Sequence, residues 1–154
     1  MRILGIDYGL KRVGLALGDT DTGLAVPLRV VRWETRAHLF EDVLKAFDET
    51  EARAAVVGLP LDLEDKENLT TRQARNFALS LTRRTDVPIY LQKEGLTSVE
   101  AEGMLHEAGT WRRKKARDRD RGLVDQMAAT VIVRDFLEAL KTGRPARLDE
   151  SEGT

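Results

Sequence analysis

Asp7 closes an apolar run, Arg2-Ile3-Leu4-Gly5-Ile6-Asp7-Tyr8-Gly9, and the chain turns at once into a second, Arg12-Val13-Gly14-Leu15-Ala16-Leu17-Gly18. An aspartate in that place lowers strand propensity and is pushed toward solvent at the rim of a sheet. Asp125 stands far along the chain in Leu123-Val124-Asp125-Gln126-Met127-Ala128-Ala129, near the start of an apolar helical pattern. A third acid, Glu94, follows the short run Pro88-Ile89-Tyr90-Leu91-Gln92. Metal-assisted phosphodiester hydrolysis needs hard oxygen ligands converging from separate elements, commonly around two divalent ions about 3.5–4 Å apart. These three acids meet that need if the fold gathers them. His38 and His106 stand singly and there is no cysteine, so oxygen-only ligation points to Mg²⁺ or Mn²⁺ rather than zinc. Each acid also has a plainer reading: Asp7 as a turn former, Glu94 as a solvated loop residue, Asp125 as a first-turn acid favoured by the helix dipole.

The elements that must position these acids follow from periodicity. Residues 2–7 and 12–18 read as a hairpin joined by residues 8–11. Residues 23–31 form a third strand, which Pro27 assigns to an edge because proline donates no ladder hydrogen bond. Leu39, Val43, Leu44 and Phe47 recur at helical spacing within residues 35–50. The continuous apolar run 54–60 suits a strand buried on both faces. After a polar loop, Thr70 with Gln73 makes a capping-box pattern for a helix to about residue 84. Residues 88–92 are the next strand, and Thr97 with Glu100 caps a helix that stops at Gly109. A basic loop, 112–121, precedes a last helix over 123–140. The order β-β-β-α-β-α-β-α-α predicts an α/β fold with a five-stranded mixed sheet, three strands antiparallel and two parallel, flanked by helices. Sites in such sheets favour strand C-termini, and Asp7, Pro60 and Glu94 are expected just beyond strand ends.

The 154 residues suit one domain, residues 1–141, with 142–154 as a disordered tail. Hydrophobic content of 42% and charged content of 33% fit a soluble globular protein. Without cysteine, disulfides, thiolate metal sites and thiol nucleophiles are excluded. No signal pattern or membrane-length apolar run is present, so the expected compartment is the cytoplasm, with no membrane partner. The net charge of −1 conceals a strong asymmetry. Arg112-Arg113-Lys114-Lys115-Ala116-Arg117-Asp118-Arg119-Asp120-Arg121 is basic, while Asp62-Leu63-Glu64-Asp65-Lys66-Glu67 is mostly acidic. The basic run suits a polyanionic partner or, on the plainer reading, is a solvated loop.

Four blocks carry a resemblance. They are Ile6-Asp7-Tyr8-Gly9 with Arg12-Val13-Gly14-Leu15-Ala16, then Val57-Gly58-Leu59-Pro60-Leu61, then Glu94-Gly95-Leu96-Thr97-Ser98-Val99-Glu100-Ala101-Glu102, then Val124-Asp125-Gln126-Met127-Ala128-Ala129. Together, and in this order over residues 1 to about 140, they resemble the signature blocks of the YqgF (RuvX) family. The resemblance implies an RNase H-like fold, a cytoplasmic location and divalent-metal-dependent nuclease activity on a Holliday junction or on pre-16S rRNA. By position, Asp7, Glu94 and Asp125 match the family's acidic catalytic residues, which would hold the metal and leave a 5′-phosphate. The family's usual Asp-Glu-Arg is Lys93-Glu94-Gly95 here, so the flanking acid and the arginine are missing, and Lys93 is the residue that would partly replace the lost charge. The acidic loop after Leu61 also departs from the usual Asn-Met-Asp-Gly type.

Phosphate contacts are expected from Lys11 and Arg12, from the helix start Thr70-Thr71-Arg72, and from Arg112, Arg113, Lys114 and Lys115. For Thr70 and Thr71 helix capping is the commoner role. Trp111 is placed either to stack on a base or to anchor its loop. Junction resolution needs two symmetry-related nicks, so that substrate implies a homodimer. Two other readings fit parts of the chain. An actin-like phosphotransferase shares the Asp-x-Gly hairpin, but its fold needs a second such domain that this chain lacks. A non-catalytic nucleic-acid-binding or ribosome-associated factor is suggested by Lys93 and Gly95, and opposed by retention of all three acids.

Overall fold

A computed structural model describes residues 1–61, 64, 66–94 and 117–143, with the backbone alone over 117–125. The strands are β1 (Arg2–Tyr8), β2 (Arg12–Asp19), β3 (Ala25–Arg32), β4 (Ala54–Pro60) and β5 (Ile89–Glu94). The helices are α1 (Arg36–Thr50), α2 (Leu69–Thr82) and α3 (Arg117–Thr142). The sheet order is β3-β2-β1-β4-β5. β1 pairs antiparallel with β2, and β2 with β3. β1 pairs parallel with β4, and β4 with β5. This is the expected mixed sheet, with β3 at an edge as Pro27 requires, and its helix-flanked architecture is RNase H-like.

Side-chain alternation along each strand divides the core in two. Leu4, Ile6, Val13, Leu15, Ala55, Val57, Leu59 and Ile89 face α1 and α2, which bring Leu39, Phe40, Val43, Phe47, Phe77 and Leu81. Ile3, Ala16, Ala54 and Val56 face α3, which answers with Ala129, Ile132, Val133, Phe136 and Leu137. That set repeats at i, i+3, i+4, i+7 and i+8, the stripe of a helix lying flat on a sheet.

The sheet is unusually small on the α3 side. Gly5 pairs with Ala16 and Ile3 with Gly18 on that face, and Asp7 pairs with Gly14. A Cβ at Gly5 would fall 2.8 Å from Val133 Cβ and 2.9 Å from the Ala129 carbonyl oxygen. One at Gly18 would fall 2.7 Å from Val133 Cγ2, and one at Gly58 would overlap Ile132. These glycines let the helix backbone approach to a distance no larger side chain permits.

Several boundaries differ from expectation. β5 runs on through Lys93 to Glu94, so Glu94 ends a strand rather than standing in a polar loop. Asp7 lies inside β1, and Pro60 is the last residue of β4. Ladder pairing with β2 and β4 carries these polar or rigid residues into the strands, overriding their low propensity. The α2 cap is Asn68, not Thr70. The Asn68 side chain accepts from Thr71 N at 3.1 Å, and the Asn68 backbone N–H donates to Thr71 Oγ1 at 3.1 Å. The hydroxyl that answers the cap is therefore Thr71, three residues on, and Gln73 has no part in it. α3 begins at Arg117, inside the expected basic loop, and extends to Thr142. Its N-terminal turns are carried by the same helix whose later residues pack on the sheet. Asp125 is consequently an interior helical position, and first-turn dipole stabilisation does not account for it. The expected 97–109 helix, Gly95, Trp111, residues 112–116 and the tail beyond Gly143 lie outside the described residues.

Candidate active site

Asp7 and Glu94 share a face. On β1, Ile3, Gly5 and Asp7 have one parity; on β5, Tyr90, Gln92 and Glu94 have the same one, with Tyr90 packed in the α3-side core. The register Ile6↔Val57 and Pro60↔Glu94 puts both acids at the C-terminal rim, with β4 between them. With neighbouring strands about 4.8 Å apart and about 3.3 Å per residue, their Cα atoms are roughly 10–12 Å apart. Glu94 is only 8% exposed. Asp7 has Gly14 as its cross-strand partner, and Gly58 lies one step beyond the Ile6↔Val57 pair on its other side. Neither lateral neighbour has a side chain to cover the carboxylate.

α3 passes over the same rim. Gly18 meets Val133 and Leu137, and Gly5, further along the sheet, meets Ala129 and Val133. Two residues of strand advance about 6.6 Å and four residues of helix about 6 Å. Gly58, one step beyond the Ile6↔Val57 pair, meets Ile132. Among the described residues no three acidic or histidine side chains converge as a metal site. Of the three acids, Asp7 and Glu94 are described in full and Asp125 by its backbone.

The cations expected at the substrate divide. Lys11 lies exposed in the β1–β2 turn and Arg12 starts β2, partly buried. Thr70 and Arg72 are exposed on the first turn of α2. Thr71 is fully buried: its hydroxyl donates to the Pro60 carbonyl and joins the Asn68 cap. That hydroxyl fastens the α2 start to the rim holding Asp7 and Glu94, so Thr71 positions the helix and offers no surface to a phosphate. Arg112, Arg113, Lys114 and Lys115 lie outside the described residues.

Lys93 alternates to the opposite face, toward α2, where its charge acts on Glu67. Glu67 is held below the usual glutamate range chiefly by its hydrogen bond with Arg75, whose Nη2 donates to Oε2 at 3.1 Å, and secondarily by charge. The pair ties Glu67, immediately ahead of the Asn68 cap, to Arg75 within α2. Lys93 thus faces away from Glu94.

Sequence reasoning missed an aromatic group beside the acids. Tyr8, one residue past Asp7, points to the α1/α2 face and stacks on Phe77 at 4.7 Å between centroids, and Phe77 stacks on Phe40 at 5.3 Å. Trp33 meets Tyr8 edge-on at 6.3 Å, and its Nε1 donates to the Gly9 carbonyl at 3.0 Å. Gly9 is required there, since a Cβ would come 2.5 Å from the Arg12 carbonyl oxygen. Burial raises the Tyr8 hydroxyl above its ordinary value, against the opposing charge of Arg36. The available signal was parity, because a residue next to an inward Asp7 must face the other layer.

Comparison with known proteins identifies the family and the fold. A relative from Maridesulfovibrio salexigens, provisionally named a pre-16S rRNA nuclease, is 44% identical over 137 residues, covering 89% of this chain and 98% of its own. A relative of the same provisional name from Nitratidesulfovibrio vulgaris is 44% identical over 144 residues, covering 94% and 98%. Among solved structures, Thermus thermophilus RuvC in complex with a Holliday junction substrate aligns with a TM-score of 0.57 at 17% identity, covering 96% of this chain and 99% of that one. At that identity the likeness shows the fold alone. The RuvX family, described as Holliday junction resolvase, matches residues 1–139. On the strength of that match and of the relatives, the chain belongs to the YqgF/RuvX family.

Proposed function

We propose that this protein is a nuclease that hydrolyses phosphodiester bonds in structured nucleic acid, with Asp7, Glu94 and Asp125 as its catalytic acids and Mg²⁺ or Mn²⁺ as its cofactor. The observation that carries this reading is the convergence of Asp7 and Glu94 on one face of the rim, in a chain of this family. The donor set fits the metal: both described donors are carboxylates, the chemistry hard divalent cations prefer. When bound, such a cation lowers the pKa of water and neutralises charge on the phosphate. The chain's own contribution is placement. β1 and β5 hold two carboxylates on one face of the rim, Gly58 lets Ile132 of α3 pack beside Asp7, and α3 carries Asp125. Lys11, Arg12, Thr70 and Arg72, together with Arg112, Arg113, Lys114 and Lys115, hold the phosphate backbone without reading sequence.

The substrate is a four-way DNA junction or the 5′ end region of pre-16S rRNA, acted on in the cytoplasm by a single domain of residues 1–141. A junction substrate further implies a homodimer. Among the described residues no helix is long and apolar enough to cross a membrane. The test offers both substrates with Mg²⁺ and with Mn²⁺ and maps the cuts. Metal-dependent cleavage leaving 5′-phosphates, lost in Asp125→Asn, supports the reading. Binding without cleavage of either substrate would overturn it in favour of a non-catalytic factor that keeps the fold.

A further inference from the structure

On the α1/α2 side of the rim, back to back with Asp7, lies a cavity of about 150 Å³. Tyr8, Trp33, Phe40 and Phe77 form its walls, and Gln73 and Asn76 of α2 add two amides. A cavity of about this volume with apolar walls accommodates one benzene-sized ring. The rings are held in place independently of any ligand. Phe77 is clamped between Tyr8 and Phe40 with interplanar angles of 27° and 12°. The Trp33 indole is oriented by its bond to the Gly9 carbonyl.

Among the described residues, the lining holds one cation. Arg36 lines the cavity with Leu10. Lys11 follows Leu10 and Arg72 precedes Gln73, and both are exposed. A pocket for one flat ring, with two hydrogen-bonding amides and the Arg36 guanidinium in its lining, matches an unstacked base on a single-stranded segment. One nucleobase fits that volume.

We infer that the cavity between Tyr8, Trp33, Gln73 and Asn76 is a subsite for one unstacked base of the nucleic-acid substrate. The inference rests on the reading of the chain as a nucleic-acid-processing protein and adds how the strand is gripped beside Asp7. Because Asp7 and Tyr8 are consecutive, a strand crossing the rim puts one base in the cavity while a neighbouring phosphate lies at the acids. Structured substrates with unpaired or splayed nucleotides are thereby favoured over continuous duplex.

The test is binding without metal, so that it stands apart from cleavage. The intact chain is titrated with short oligothymidylate, oligoadenylate and an abasic oligomer of equal length while tryptophan fluorescence is followed. Oligothymidylate should quench the signal and bind about tenfold more tightly than the abasic strand, the scale of one stacking contact. Oligoadenylate should likewise bind more tightly than the abasic strand. The quench should vanish in Trp33→Phe, which leaves Trp111 as the other reporter. Asn76→Trp, an exposed helix position, should fill the mouth and weaken oligothymidylate about tenfold without changing abasic binding. Equal affinity for all three oligomers, a quench unchanged in Trp33→Phe, or thymidylate binding unchanged in Asn76→Trp would each overturn the subsite. Failure of cleavage with intact base-selective binding would instead count against the nuclease reading alone.

Discussion

The two faces of the sheet are built on opposite principles. Toward α1 and α2 the strands present large side chains, and the core there ends in the Tyr8–Phe77–Phe40 stack. Toward α3 glycine and alanine stand among Ile3, Val56 and Tyr90, and α3 seats against the backbone itself at Gly5 and Gly58. The first face obtains its stability from apolar area. The second gives up area for proximity, and that is the face where Asp7 and Glu94 lie. Bulk holds the sheet, while close approach brings a distant helix to the carboxylates. Asp7 and Tyr8, adjacent in sequence, belong to different layers and do different work.

The largest effect should come from the acids. Asp7→Asn and Glu94→Gln each keep shape and remove charge, and each should lower cleavage by at least about a thousandfold with a melting temperature near that of the parent. Measured turnover within tenfold of the parent in either variant would remove that residue from the site. Next, Phe77→Ala takes out a 4% exposed ring from the centre of the stack and should cost about 3–5 kcal/mol in urea unfolding. A loss below about 1 kcal/mol would mean the bulky face is not the main source of stability.

Gly5→Ala probes the close-packed face. The new methyl meets the Ala129 carbonyl and Val133, so α3 must shift, at about 1–3 kcal/mol, with activity falling because the shifted helix carries the proposed catalytic Asp125. A neutral Gly5→Ala would erase the contrast between the faces. The smallest effect lies in acid. Glu67 is depressed mainly by its hydrogen bond with Arg75, so its contribution is present above the ordinary glutamate pKa of 4.5 and is lost as pH falls through the lower folded value. Melting temperature measured from pH 6 to pH 3 should decline less steeply in Glu67→Gln than in the parent; parallel curves would show that the pair ahead of α2 carries no stability.

The element order was largely legible because it depends on local pattern. Alternation identified the hairpin, the apolar run 54–60 identified β4, and Pro27 marked the edge. The misplacements have one physical origin. Their own propensities put Glu94 just beyond a strand end and Thr70 at a cap, whereas ladder pairing with Pro60 and the Thr71 hydroxyl on the Pro60 carbonyl decide otherwise. The basic segment from Arg117 looks like a loop by composition, yet it is continuous with a helix anchored further on by Ile132, Val133 and Phe136.

Residue types determined which groups here could do chemistry: three carboxylates, no thiol, isolated histidines, and hence oxygen ligation of a hard cation. The alternation of large and small residues in Val13-Gly14-Leu15-Ala16-Leu17-Gly18 was also fully written in the chain. What that alternation meant, only the tertiary structure decided. Side-chain parity is a local property, but the partner each face receives depends on where helices of distant sequence dock. The gap left by Gly5 and Gly58 acquires its role only when α3 fills it, and the pocket beside Tyr8 exists only once Trp33 and α2 close around it.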